Sequence, residues 1–260
     1  FYSIYGIKEA CQKYNYPFSC VTFFHLLDAS HYNINLIESL QKARYIFALT
    51  KFEATFLTQT LGIKPERVIL APGYVTEDAP IRVTKSAKVF NILFISRLEV
   101  GKNIQDVFEV FSQLITIIPH ITLTIITSEP ISVSLPKQVR IIVKPTQIKK
   151  EMELAACDVV MFTSFLESFG YVILEGWKYG KPVFVRETNM VSADMVKQMD
   201  PFFVYKDISD LKKKVIELYK KMETNKSFQA DFSKKAQTYM QHMFHPQKIK
   251  KKIFSFLHNS

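Results

Sequence analysis

Between Thr163 and Val185 the sequence reads TSFLESFGYVILEGWKYGKPVFV. Glu167 and Glu175, eight positions apart, interrupt an apolar run, with Phe169-Gly170 between them and Gly180-Lys181-Pro182 after them. The pattern predicts a strand ending at Ser164, a loop over FLESFG, and a helix from about Gly170 to Tyr179 stopped by Gly180. Ligands of open α/β sheets bind outside the carboxyl ends of the strands, which is where Glu167 would lie. A glycine at a helix start lets a phosphate come close to backbone N–H groups whose dipole favours an anion. Glu175, about one and a half turns inside the helix, would serve a different part of the same ligand. Either acid alone would read as a solvated surface group. The spacing, the glycine and the strand-loop-helix order together favour a site.

The elements that must position this stretch follow a βαβ rhythm. CVTFFH (20–25) reads as a buried strand, HYNINLIESLQKA as a helix, RYIFALT as a strand, KFEATFLTQTLG as a helix stopped by Gly62, and RVILAP as a third strand. Polar sequence with Pro80 and no clear period then reads as a linker. A fresh unit opens at Val89. VFNILFIS is its first strand, RLEVGKN a loop, and IQDVFEVFSQLI a helix with one apolar face. ITLTIIT, VRIIV, CDVVMFTS, PVFV and FFVY read as strands, QIKKEMELAA as a helix, and further helices fill the sequence from about Asp207. The second unit is thus predicted to be a complete doubly wound α/β domain and the first only part of one.

Composition bounds the alternatives. Hydrophobic residues make up 48% and charged residues 22%, a globular balance. No apolar run approaches a membrane span. Lysine and arginine number 34 against 24 acids, favouring anionic partners. No nucleic-acid motif accompanies that charge, and no nucleic-acid partner is expected. Three cysteines, Cys11, Cys20 and Cys157, form no paired framework, which points to a reducing compartment. His242 and His245 stand one helical turn apart without further ligands nearby, so no metal site is expected. The sequence opens on Phe1, and the natural protein is expected to start earlier.

The motif S-x-x-E-S-F-G-x-x-x-L-E-G-x-x-x-G-K-P-V resembles the E-x7-E signature of retaining GT-B glycosyltransferases, family 4 in particular. Gly176 stands where alanine is usual, and Trp177 is bulkier than the common methionine. FISRLEVGKN resembles the family's phosphate loop, with Arg97 and Lys102 in the matching places and Ser96 replacing a glycine. CVTFFHLLD resembles its acceptor-side strand, with His25 at the histidine position. The resemblance spans nearly the whole chain, but the family's glycine-rich loop near the N-terminus is not in this sequence.

The resemblance implies a GT-B fold: a partial N-terminal Rossmann-like acceptor-side domain (1–74), a linker (75–88), a complete Rossmann-like nucleotide-sugar domain (89–240) and a closing helix (241–260). It implies transfer of a sugar from a nucleotide-diphosphate sugar to a glycan, glycolipid or protein acceptor, with retention of configuration and without metal or other cofactor. No D-x-D triplet is present to hold a divalent ion. Arg97, Lys102 and the N–H groups around Phe169, Gly170 and Tyr171 would hold the diphosphate, and Glu175 the ribose hydroxyls. Glu167 and His25 would face the transferred sugar, and the base would stack near VKPTQI (143–148). The expected location is cytoplasmic, with peripheral contact at the inner face of a membrane, in glycan or lipopolysaccharide synthesis. A second reading is a truncated, non-catalytic nucleotide-sugar-binding remnant; a GT-B epimerase lacks this Phe-Gly motif. In the tail QKIKKKIFSFL, Ile249, Ile253, Phe256 and Leu257 form one helical stripe. Packing against a core is expected over the rival membrane-surface helix.

Overall fold

The structure, a computed structural model, describes residues 40–41, 43–75, 79–83, 89–165, 167 and 169–258. The chain divides into two compact units. One comprises Phe1–Tyr74, Glu167–Phe169 and Met243–Ser260; the other comprises Val75–Leu166 and Gly170–His242.

In the first unit, β1 (Ile46–Ala48) pairs in parallel with β2 (Val68–Leu70). Between them α1 (Lys51–Thr55) runs on into a π-turn over Phe56–Thr60, closed by Leu61 N–H donating to Phe56 O, and Gly62 ends it at φ +66°. Thr50 caps α1 by accepting from Glu53 N–H at 3.1 Å, while the Glu53 carboxylate accepts from Leu49 N–H at 2.6 Å. Glu53 is fully buried, and burial pushes its carboxyl up from 4.5 to about 8. The folded state therefore favours the protonated form. Its contribution is complete below pH 4.5 and is lost as pH rises through about 8. Relative to Glu53→Gln, the wild type is expected to lose a few kcal/mol of stability between about pH 5 and about pH 8.5. Urea midpoints of the two proteins at both pH values check this; parallel profiles would refute it.

The C-terminal helix of this unit, α8 (Pro246–His258), closes on the two strands. Ile249 is buried with Phe47, Ile69 and Ala71, and Ile253 and Phe256 pack beside it. The Phe256 ring meets Tyr45 edge-on at 5.4 Å, and Lys252 Nζ donates to Leu70 O at 2.8 Å. The apolar stripe thus faces a core, as its period predicts; the side chain of Leu257 lies outside the description.

The second unit carries a six-stranded sheet. In chain order its elements are β3 (Phe90–Ile95), α2 (Ile104–Leu114), β4 (Ile121–Thr127), β5 (Val139–Val143), α3 (Gln147–Ala156) and β6 (Val159–Phe162). Then come α4 (Tyr171–Lys178), β7 (Val183–Arg186), α5 (Met190–Met199), β8 (Val204–Tyr205), α6 (Ile208–Thr224) and α7 (Phe228–Met243). The strand order is β5-β4-β3-β6-β7-β8, every neighbour parallel. β3 and β6 read as largely apolar runs because both faces of a parallel sheet are covered: all of β6 is buried, as are Phe90 to Phe94 of β3. The chain leaves β3 toward β4 and returns to β6 on the other side, so the sheet's switch point lies between β3 and β6.

Three local differences from the sequence reading have physical causes. FFVY keeps only two strand residues, because Asp200 caps a 3₁₀ turn with Pro201 at its first position and accepts from Phe202 N–H at 3.1 Å. The C-terminal helices break at Asn225, whose side chain accepts from Ser227 N–H, and again before Pro246, which starts α8. That second break separates His242, on α7, from His245, whose Nδ1 accepts from Gln247 N–H.

Candidate functional site at the strand ends

The carboxyl end of β3 leads through Ser96, whose N–H donates to Ile126 O at 3.0 Å, to Arg97. Arg97 pairs with Glu99 at 2.7 Å, both side chains more than half exposed. A 3₁₀ turn over Val100–Lys102 follows, and Asn103 enters α2 through the left-handed region at φ 51°. Asparagine tolerates that conformation better than other side chains carrying a Cβ.

The neighbouring strand β6 is followed by Thr163 and Ser164, both buried. The Thr163 hydroxyl lies within donating distance of two carbonyls of the basic loop, Lys102 O at 3.0 Å and Asn103 O at 2.8 Å. Phe165 N–H donates to Gly101 O at 2.9 Å. On its other side the same segment is held by Asn189, whose Nδ2 donates to Ser164 O at 3.1 Å and whose Oδ1 accepts from Ser192 N–H at the start of α5. The turn carrying Lys102 is therefore fastened to the strand end that leads into the acidic motif.

Gly170 caps α4 at φ 81°, ψ 61°, with no side-chain cap of its own. A Cβ there would stand 3.0 Å from Ile173 Cδ1, 3.1 Å from Ser192 Oγ and 3.2 Å from Phe162 Cζ. Only glycine fits both the angle and the space. The first turn of α4 offers its amide end at this position, suited to an anion. The helix ends in a Schellman turn: Gly180 N–H donates to Trp177 O and Lys181 N–H to Gly176 O, with Gly180 at φ +65°.

Arg97 and Lys102 thus follow β3, while Gly170, Tyr171 and Glu175 follow β6, its parallel neighbour. Tyr171 is half exposed. Phe169 is buried, its ring edge-on to Phe244 at 6.0 Å, so its side chain serves packing and its backbone is what a ligand could use. Glu167 is half-buried in the loop and groups with the first unit. His25 lies outside the described residues. Glu175 Oε1 is 2.6 Å from Lys150 Nζ on α3. Beyond β7, Arg186 pairs with Asp106 and lies 5.0 Å over the Phe165 ring, and Tyr205 OH donates to Asp106 at 3.2 Å. Burial, then the Asp106 charge, raises the Tyr205 phenol above its usual range and keeps it a donor. Among the described residues no three His, Cys, Asp or Glu side chains gather as metal ligands.

Sequence reasoning missed Thr163, Asn103, Asn189, Lys150 and the Arg186–Asp106 pair. The polar pair Thr163-Ser164 closing an apolar strand was a usable signal. The partners of the others are fixed by topology across tens of residues.

The family model described as Glycosyl transferases group 1 matches residues 89–221, just over half of the chain. The chain belongs to the group 1 glycosyl transferases. Its α/β architecture is the GT-B type, with a complete Rossmann-like domain and part of a second. Solved structures agree in fold. The apo form of WaaB, a lipopolysaccharide outer core galactosyltransferase, is 16% identical with TM-score 0.70, covering 97% of this chain and 73% of that one. The sucrose-phosphate synthase of Thermosynechococcus elongatus is 14% identical with TM-score 0.76, covering 98% and 71%. A point mutant of S. aureus TarM in complex with fondaparinux, alpha-GlcNAc-glycerol and UDP is 16% identical with TM-score 0.73, covering 98% of this chain and 54% of that one. No curated protein matches the sequence.

The structure explains one departure of this glycosyltransferase from the motif. Where alanine is usual it has Gly176, and a Cβ there would stand 2.6 Å from Val183 Cγ2 on β7. The glycine lets α4 lie close on the sheet against a branched neighbour. No described helix of the glycosyltransferase is long and apolar enough to cross a membrane.

Proposed function

We propose that this glycosyltransferase is a retaining, family 4-type enzyme that moves a sugar from a nucleotide-diphosphate sugar to a glycan, glycolipid or protein acceptor. The observation that carries this reading is the fastening of the Lys102 turn to the end of β6 through Thr163 and Phe165, at the sheet's switch point. It ties the turn that carries Lys102 to the strand end that leads into the glycine-started helix.

Breaking a sugar–phosphate bond leaves extra negative charge on the diphosphate. Arg97, Lys102 and the amides around Phe169, Gly170 and Tyr171 are suited to meet that charge as it develops, without a divalent ion. Glu175 would accept hydrogen bonds from the ribose hydroxyls, and Glu167 and His25 would contact the transferred sugar. Residues 89–240 would form the donor domain, 1–74 the acceptor side, 75–88 the linker and 241–260 the closing helix. The cysteine pattern and lysine surplus support work in the cytoplasm, peripheral to an anionic membrane face.

The test is a thermal-shift titration of the full chain with UDP, GDP, ADP and their common sugar conjugates, repeated on Lys102→Ala. A nucleotide that binds only the folded state adds about 2.7 kcal/mol at a hundredfold excess over its Kd. One nucleotide class is expected to raise the midpoint, and Lys102→Ala to remove most of that shift. No shift with any of them would overturn the donor-site reading. A shift without sugar transfer to any acceptor would favour the non-catalytic remnant.

A further inference from the structure

We propose that Lys150 is a positioning residue for the nucleotide ribose, acting through Glu175 and setting the preference for ribose over deoxyribose. The inference rests on the reading of Glu175 as the ribose ligand. Lys150 lies near the start of α3, which begins just past the carboxyl end of β5. Its Nζ is 2.6 Å from Glu175 Oε1, and the two side chains are only 21% and 22% exposed. Neither is a mobile surface charge.

Several contacts hold this pair in place. Thr146 caps α3 by accepting from Lys149 N–H at 3.2 Å, which fixes the first turn. The adjacent Glu151 accepts from Gln147 Nε2 at 2.7 Å and from Tyr179 OH, just past the end of α4, at 3.1 Å. Tyr179 OH in turn accepts from Ile81 N–H at 3.4 Å. The helices α3 and α4 are therefore braced at two points, Lys150–Glu175 and Glu151–Tyr179.

A carboxylate has two oxygens and about four lone-pair sites. With Lys150 on Oε1, Oε2 remains to accept from ribose hydroxyls. An unclamped glutamate on a helix samples several rotamers, and a ligand must order it on binding. The lysine does that ordering beforehand. Its effect is expected at the sugar hydroxyls, because its side chain pairs with Glu175 and lies outside the diphosphate loop.

Calorimetry on the full chain tests this with three pairs of probes: UDP and 2′-deoxy-UDP, GDP and 2′-deoxy-GDP, ADP and 2′-deoxy-ADP. The proteins are wild type, Lys150→Met, Lys150→Gln, Lys150→Arg, Glu175→Gln and the surface control Lys213→Met. For the base that binds, wild type is expected to prefer the ribo form by about tenfold, the worth of one hydrogen bond to a charged group. Lys150→Met should weaken the ribo form by about three- to tenfold and leave the deoxy form within about twofold. Lys150→Gln stands in if the methionine variant does not fold. Lys150→Arg should keep the preference, and Lys213→Met should change neither affinity.

An unchanged ratio in Lys150→Met and Lys150→Gln, with a collapsed ratio in Glu175→Gln, overturns the lysine's role alone. Equal weakening of both forms in Lys150→Met, or the same weakening in Lys213→Met, overturns it in favour of bulk charge or packing. An unchanged ratio in Glu175→Gln overturns the ribose reading beneath it. No binding of any probe to wild type overturns both.

Discussion

Replacing Gly170 with alanine is expected to abolish the nucleotide-induced stabilisation and to lower the stability of the apo protein by about 2–5 kcal/mol. Two costs add. A residue with a Cβ in the left-handed region loses about 1–2 kcal/mol. The new methyl group would also press on Ile173, Ser192 and Phe162 at 3.0–3.2 Å, and overpacking a tight site costs about 1–3 kcal/mol. The same shift would displace the amide end of α4 from the phosphates. Gly62→Ala is the matched control: it has φ +66° but nothing within 4 Å of an added Cβ. It should show the backbone cost alone and leave nucleotide binding intact. Urea midpoints and nucleotide titrations of both variants decide. If Gly170→Ala is no worse than Gly62→Ala and still binds, close approach at Gly170 is not part of the site.

Trp177→Ala is expected to cost about 3–5 kcal/mol, the usual loss for truncating a fully buried large aromatic side chain. Trp177 is completely buried and meets the Tyr239 ring edge-on at 5.6 Å, which anchors α4 to α7. Successive helical residues are separated by about 100°, so Trp177 points roughly 200° away from Glu175. One face of α4 grips the core while the opposite face holds the pair with Lys150. The variant should therefore also weaken nucleotide binding without touching a ligand contact. Trp177→Phe should recover part of both losses. A stability loss of only about 1 kcal/mol in Trp177→Ala would mean that the helix is anchored elsewhere.

The strands and helices whose ends are marked by turn residues were legible in the sequence. ITLTIIT, VRIIV and QIKKEMELAA fold over the residues their patterns predict, because Pro119-His120, Pro136 and Pro145-Thr146 bound them. The tail stripe of Ile249, Ile253 and Phe256 was legible for the same reason: a helical period in apolar residues implies a surface to cover. The acidic motif announced its loop and helix. It did not announce that Phe169 turns its ring into packing, since an aromatic residue in a motif looks the same whether its ring or its backbone matters. Thr163 to Lys102, and Lys150 to Glu175, were beyond reach, because those contacts arise when β3 and β6 become neighbours and α3 meets α4. The π-turn after Thr55 left no compositional mark.

The closure of α8 on β1 and β2 has a consequence for the order in which this protein matures on the ribosome. Every strand of the six-stranded sheet has been synthesised by Tyr205, so that unit can begin to consolidate while the chain is still growing. The face formed by Phe47, Ile69 and Ala71 must wait for Ile249, some two hundred residues after β1 has emerged. At about 5–20 residues per second, that interval lasts from about ten to forty seconds. During it β1 and β2 lack the cover that α8 gives them, which makes this face a natural binding place for a chaperone acting on the nascent chain.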